Sequence, residues 1–447
     1  MRIWCRASLS RGRFLVHKQK SEGHKESEVP HMSNFNKLID RFDRLFLYHL
    51  GKIVRPFGKP VRKFYTDIVY GILKGQSIIL SDVAHSLNER TLPKKTIERL
   101  SRFLDRDHDL AFRERLLAFA ISLMPKDGLK VFSVDDTEVV KIYGKRFEAM
   151  GKVRDASSPK GSIENGYRVS CVTALTAAAK HPMPVFDVFH SETQPGFKSV
   201  NKHTFDGLEF ICSHLKEREG VFVFDRGYDD YKVINFVRDH RQFFVIRMTK
   251  NRKIAVKGRK VGLIDEGKRK KGKIVIPVVY KGKRYSAKVS HLKVRLLDGR
   301  SYFAVYCYLG DGSEPMTLLT NREIRSKEDV IAAVMNYASR WKIEEQFRFK
   351  KNGFNFEDFR VRSLNRINNL AMCLDTAVTL MSALIEGDSE LYQYLISVSK
   401  HLKGDRAYIK FYQLLSGIKT LLGHKEMGIR SKEKIEHRPK QVQLTLF

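Results

Sequence analysis

Residues 337–351, "YASRWKIEEQFRFKK", set one acidic pair inside a basic run of helix formers, and the reading of this stretch decides the rest of the chain. At about 100° per helical residue, Tyr337, Arg340, Glu344 and Lys351 fall within a stripe of roughly 60°, so a carboxylate and two cations share one face. Taken alone, the stretch also fits a solvated helix laced by ion pairs such as Arg340 with Glu344. The two readings part on whether the chain supplies partners for Glu344.

Other acidic positions meet that requirement. Asp225 ends the apolar run "VFVFD" and precedes Arg226 and Gly227. This puts a carboxylate at the C-terminal tip of a strand, where open α/β sheets bind ligands. Asp135 and Asp136 follow "VFSV", and because strand side chains alternate, only one of them can join Asp225. Asp136 shares strand parity with Phe132 and Val134 and is expected to face the site, with Asp135 supportive. A turn-capping Asp before Gly and an acidic strand-end turn are the plainer readings of these positions. If the two strands are neighbours and a helix delivers Glu344 across them, three carboxylates can hold two magnesium ions. Such a donor set needs neither His nor Cys and suits in-line phosphodiester chemistry.

The composition points the same way. A chain of 447 residues holds two or three domains, and 42% hydrophobic content is that of a folded protein. A formal charge of +33 and a pI near 9.9 imply a polyanionic partner. Membrane surface is the competing anion, but no run of about 18 uncharged apolar residues occurs, so nucleic acid is favoured. The five cysteines are scattered, odd in number and free of CxxC spacing, which suggests neither a disulfide framework nor a zinc site. The start lacks an apolar run of secretory length, so a cytoplasmic, nucleoid-associated location is expected.

Four segments follow along the chain. Residues 1–31 carry seven Lys or Arg and no periodic apolar face, and read as a disordered extension or a start placed ahead of Met32. Residues 32–127 form a helical domain. Within it, Ser81 caps a short helix and a turn leads to a basic helix, a helix-turn-helix reading in which Lys94, Lys95 and Arg99 face DNA. A plain hairpin packing Ile97, Leu100 and Leu104 is the alternative. Residues 128–385 open with three strands and continue with alternating helix and strand, giving an α/β mixed sheet with helices on both faces. This unit contains a β-rich basic insertion over 251–315. From 251 to 300 it has seventeen Lys or Arg against three Asp or Glu, and the run Lys268, Arg269, Lys270 and Lys271 is its densest part. Residues 386–447 are a helical C-terminal region with a basic tail.

Together "SVDDTEV", "VFDRGY" with "FVIRMTK", and the opening stretch resemble the three acidic motifs of bacterial insertion-sequence transposases. These are DDE enzymes with a ribonuclease-H-like catalytic domain. The last motif matches their Tyr, Arg, Glu, Lys signature at Tyr337, Arg340, Glu344 and Lys351. The resemblance implies that Asp136, Asp225 and Glu344 are the catalytic metal ligands, for two Mg2+ ions that Mn2+ can replace. It implies that Tyr337, Arg340 and Lys351 hold transposon-end phosphates and that Arg247 and Lys250 line the DNA path. The partners implied are double-stranded DNA, as terminal inverted repeats and as target, and a second copy of the chain in the DNA complex, with no small-molecule substrate. Some relatives trap a flipped base on a Trp in the insertion, whereas the Trp residues here are Trp4 and Trp341. Tyr280, Tyr285 and Tyr302 are the substitutes for stacking. The expected activity is metal-dependent cleavage at transposon ends and 3′-hydroxyl strand transfer. A nuclease or junction resolvase on the same fold, or a DNA-binding repressor without chemistry, are the alternatives.

Overall fold

A computed structural model of the chain describes residues 32–106, 109–144, 146–155, 158, 161–177, 181–256, 258–269, 272–280, 283–310, 314–399 and 407–425. Residues 1–31, Lys270, Lys271 and the basic tail from 426 lie outside the described residues. Five helices come first: α1 (Met32–Val54), α2 (Lys59–Gly75), α3 (Leu80–Leu87), α4 (Pro93–Leu104) and α5 (Asp109–Ser122). Four strands follow, one more than expected: β1 (Lys130–Val140), the short β2 (Gly151–Arg154) that pairs with the start of the next strand, β3 (Ile163–Leu175) and β4 (Pro182–His190). Helix α6 (Val200–Cys212), β5 (Gly220–Phe224), α7 (Tyr231–Asp239) and β6 (Phe243–Arg247) then alternate.

Strands β1, β5 and β6 are parallel, and β3 and β4 add antiparallel on the other side of β1. The order β4-β3-β1-β5-β6 makes a mixed sheet, with α6 and α7 as connections between parallel strands. The insertion comprises β7 (Lys253–Val256), β8 (Arg259–Gly262), α8 (Leu263–Lys268), β9 (Ile274–Tyr280), β10 (Lys283–Leu296) and β11 (Ser301–Leu309). It does not fold apart. Strand β12 (Met316–Thr320) returns antiparallel to β6 and carries β11, β10, β7 and β8 outward, so the insertion prolongs the same sheet.

Alternation divides the central strands between two cores. Phe132, Val134, Phe222, Phe224, Phe244 and Ile246 pack under α6 and α7, whereas Val221, Val223 and Val245 pack under α9 (Lys327–Ser339). Past α9 come α10 (Trp341–Phe354), α11 (Leu364–Gly387), α12 (Ser389–Ser397) and α13 (Ala407–Gly423). Helix α11 is long and apolar enough to cross a bilayer, but 83% of its apolar window is buried inside the protein. A helix that is apolar all round needs neighbours on every side. Here these come from both ends of the sequence, because one hydrophobic core joins α1–α5 to α10–α13. Arg41 Nε donates to Asp388 at 2.7 Å and Lys425 pairs with Asp43, tying the two regions together.

Two local expectations need correction. Ser81 lies inside α3 rather than capping it; Ser77 does the nearby work, its Oγ accepting from Ile79 N at 3.1 Å and donating to Asp82 at 2.7 Å. The opening stretch is also two helices, not one. Bonds from Arg340 N to Tyr337 O and from Ile343 N to Arg340 O, each 3.0 Å and spanning three residues, tighten the chain at Arg340 between α9 and α10.

Candidate active site

Register decides which acids meet. Val134 pairs with Phe224 across β1 and β5, so Asp135 and Asp225 are the next residues, at the point where β5 ends and β1 runs on beside β3. Asp225 continues the parity of Val221 and Val223, which face α9. Asp135 has the same orientation: its Oδ2 accepts from Arg340 Nη1 at 2.8 Å. The other end of that guanidinium, Nη2, donates to Glu344 Oε1 at 2.6 Å, and Tyr337 OH donates to Asp225 Oδ1 at 3.0 Å. Asp135, Asp225 and Glu344 therefore gather on one side of the sheet with Tyr337 and Arg340.

Asp136 does not join them. Its parity with Phe132 and Val134 is as expected, but that parity belongs to the opposite face, under α6 and α7. There it lies beside Ser170, Tyr228 and Arg168. Burial pushes the Asp136 carboxyl up, and those three groups pull it part of the way back. Ser170 in turn bonds His190 Nε2 at 3.0 Å.

The electrostatics follow from burial and from the one central cation. Burial pushes the Asp135 carboxyl up to about 7 against the attraction of Arg340. Burial also opposes ionisation of Asp225, but the Arg226 backbone N–H, Arg340 and Tyr337 outweigh it and hold this carboxyl below its usual value. Burial works against the charge on Arg340, yet Asp135, Tyr337, Asp225 and Glu344 raise its pKa above the ordinary guanidinium value. Among the described residues no three or more His, Cys, Asp and Glu side chains are arranged to hold a metal ion. The acids converge instead on Arg340, whose Nε is buried without a partner. Carboxylate oxygens gathered around a positive charge are the donor chemistry of a hard divalent ion.

The remaining sequence candidates fall into three groups. Tyr337 and Arg340, expected to hold phosphate, are buried and turned onto carboxylates. Lys351 Nζ reaches Glu138 O at 3.3 Å and Glu357 at 2.8 Å, and Arg247 Nη1 reaches Tyr280 OH at 3.4 Å beside the same cluster. Lys250, Lys268 and Arg269 are exposed, with partners in Glu314, Asp265 and Glu266 respectively. In the helical part, Lys94 and Lys95 are exposed on the first turn of α4. Arg99 is instead held by Asp67 and Glu89, at 2.8 Å each, in a network that includes Lys63.

Sequence reasoning passed over Lys350. It is fully buried on α10, six positions after Glu344, and donates to both Asp187 of β4 and Asp375 of α11. Ile343, Gln346, Lys350 and Phe354 form the buried stripe of α10, a spacing of three and four that could have revealed it.

Two acids on neighbouring parallel strands, met by a Glu from a helix across them, are a donor set suited to divalent-metal phosphodiester chemistry. The family description Transposase DDE domain matches residues 196–380, a span that holds Asp225, Tyr337, Arg340, Glu344 and Lys351 and starts after β1. Over that span the chain is similar to this family. Among solved structures it is similar to a piggyBac transposase synaptic complex with hairpin DNA, at a TM-score of 0.39 and 12% identity over 90% of this chain and 85% of that one. It is also similar to an endonuclease V from Bacillus subtilis, at 0.23 and 13% over 56% and 96%. No curated protein matches the sequence.

Proposed function

We propose that Asp135, Asp225 and Glu344 are the acids that hold two Mg2+ ions, replaceable by Mn2+, for cleavage of DNA at transposon ends and joining of the freed 3′-hydroxyl to target DNA. The observation that carries this reading is that Asp135 and Asp225 directly follow the paired Val134 and Phe224, with Glu344 joined to Asp135 through a shared arginine. Ions held by these acids would supply activation of the attacking oxygen and stabilisation of the leaving one. The chain's own residues prepare the site. Tyr337 orients the Asp225 carboxylate by its hydrogen bond, and the α9–α10 junction fixes Glu344 opposite the two Asp residues. Arg340 balances the acids, its two Nη groups bonded to Asp135 and Glu344. Double-stranded DNA fits the strongly basic chain, with Lys94 and Lys95 on α4 and Lys268 and Arg269 in the insertion as backbone contacts.

The test uses duplexes bearing the terminal sequences that flank the gene. Mg2+ or Mn2+ should support strand cleavage, and Glu344→Gln should abolish it while leaving end binding nearly intact, since affinity comes mainly from cations on phosphate. Cleavage in chelator, or loss of end binding together with cleavage in Glu344→Gln, would overturn the assignment.

A further inference from the structure

Among the described residues, the turn after β1 carries a large aromatic side chain with almost no packing. Tyr143 is 93% exposed and its neighbour Ile142 is 50% exposed, at the turn that follows β1. None of the tyrosines considered for base stacking stands out in this way: Tyr302 is buried, and Tyr280 and Tyr285 are half-buried, with Tyr280 stacked at 6.3 Å on Tyr337.

The root of the turn is clamped while its tip is bare. Gly144 N bonds Lys141 O at 2.9 Å, closing four residues with Ile142 and Tyr143 at the apex. Lys141 Nζ turns inward, donating to the carbonyls of Glu357 and Phe359 and lying 3.8 Å from the Phe359 ring centre. Phe147 packs edge-on against Phe359 at 5.7 Å, and Glu148 N bonds Arg362 O at 3.0 Å. A Cβ at Gly144 would come within 2.7 Å of the Phe147 ring, so this close packing requires glycine. Exposed Arg146, Arg360 and Arg362 flank the clamp.

Position relative to the acids supplies the partner. Asp135 precedes Val140, the end of β1, by five residues, or roughly 16 Å at about 3.3 Å per residue. The apex lies a few ångströms further. At about 3.4 Å per base pair, a duplex lying along β1 with its scissile phosphate at the acids meets the apex roughly 5–7 base pairs away. A rigid apolar tip between cations matches the chemistry by which side chains enter a base step and unstack it.

We propose, on the reading of the site given above, that Ile142 and Tyr143 form a wedge that unstacks one base step of DNA at this fixed distance from the scissile phosphate. The probe is end DNA carrying 2-aminopurine at single positions within ten base pairs of the scissile phosphate, bound to the full chain in the Glu344→Gln background. Fluorescence should rise several-fold at one or two adjacent positions about 5–7 base pairs away, persist in Tyr143→Phe and vanish in Tyr143→Ala. Equal enhancement in Tyr143→Ala, or none at any position despite end binding, would overturn the wedge and leave the transposase reading standing. If Tyr143→Ala changed the sedimentation of the free protein while the DNA signal stayed, the tip would be a protein contact and the proposal would fail. Failure of the wild-type chain to bind end DNA at all would instead overturn the reading of the site.

Discussion

Replacing Lys350 by Met removes an ammonium that two buried carboxylates share, and the structure lets the cost be worked out. Asp187 and Asp375 are almost wholly buried, and Asp187 Oδ1 has no hydrogen-bond partner, so neither acid can turn to solvent for compensation. Removing one partner of a buried ion pair costs about 3–5 kcal/mol. At about 2–4 °C per kcal/mol, the unfolding midpoint should fall by roughly 6–20 °C at pH 7.5. The penalty must shrink on acidification, because each acid can escape its isolation by taking a proton, at about 1.4 kcal/mol less per pH unit lowered. The wild-type chain has a related dependence. Burial and Asp187 raise Asp375 to about 7 against the pull of Lys350, so the folded state keeps a proton that the unfolded state gives up near its ordinary value of 3.8. Between about pH 4 and 7 the unfolded state binds fewer protons, and this group's contribution to stability falls as pH rises. Asp375→Asn should flatten that slope. Thermal unfolding followed by circular dichroism from pH 5.5 to 7.5 measures both effects. The triple variant Lys350→Met/Asp187→Asn/Asp375→Asn should recover most of the loss. A Lys350→Met protein within about 1 kcal/mol of wild type at pH 7.5, or with a deficit independent of pH, would refute the reasoning.

Two other outcomes separate folding from binding. Arg99→Ala should lower stability by about 1–3 kcal/mol, because the buried Asp67 and the half-buried Glu89 both lose the guanidinium that they share, and should alter DNA affinity little; chemical denaturation and a binding titration check the two halves. Lys94→Glu/Lys95→Glu should do the reverse, weakening end binding and reducing its salt slope by about 2 with unchanged unfolding, as read from titrations between low and physiological salt.

Much of the fold was legible because the sheet and helix periods are local. Three of the four opening strands, the alternating β5, α7 and β6, and the β-rich insertion can all be read from runs of a few residues, whereas the four-residue β2 is too short to show a period. Choosing between Asp135 and Asp136 could not be done that way. Alternation correctly grouped Asp136 with Phe132 and Val134, but which face of β1 meets Glu344 depends on the pairing of Val134 with Phe224 and on where α9 and α10 pack. These are contacts between residues far apart in sequence. Arg99 was misread for a similar reason: a basic helix advertises its charge, while its neutralisation by Asp67 and Glu89 appears only once α2 and the turn before α4 are brought beside it. The shared core of the N- and C-terminal helices likewise escapes any reading in order along the chain.

The central claim is that Asp135, and not its neighbour, completes the acid set with Asp225 and Glu344. Single-turnover cleavage of end DNA in Mg2+ by Asp135→Asn and Asp136→Asn, with folding and end binding measured on the same preparations, tests it most directly. Asp135→Asn should bind ends and fold yet show no cleavage or strand transfer. Asp136→Asn should cleave measurably and lose about 1 kcal/mol of stability through its contacts with Ser170 and Tyr228. An active Asp135→Asn alongside a folded, DNA-binding but inactive Asp136→Asn would contradict the account.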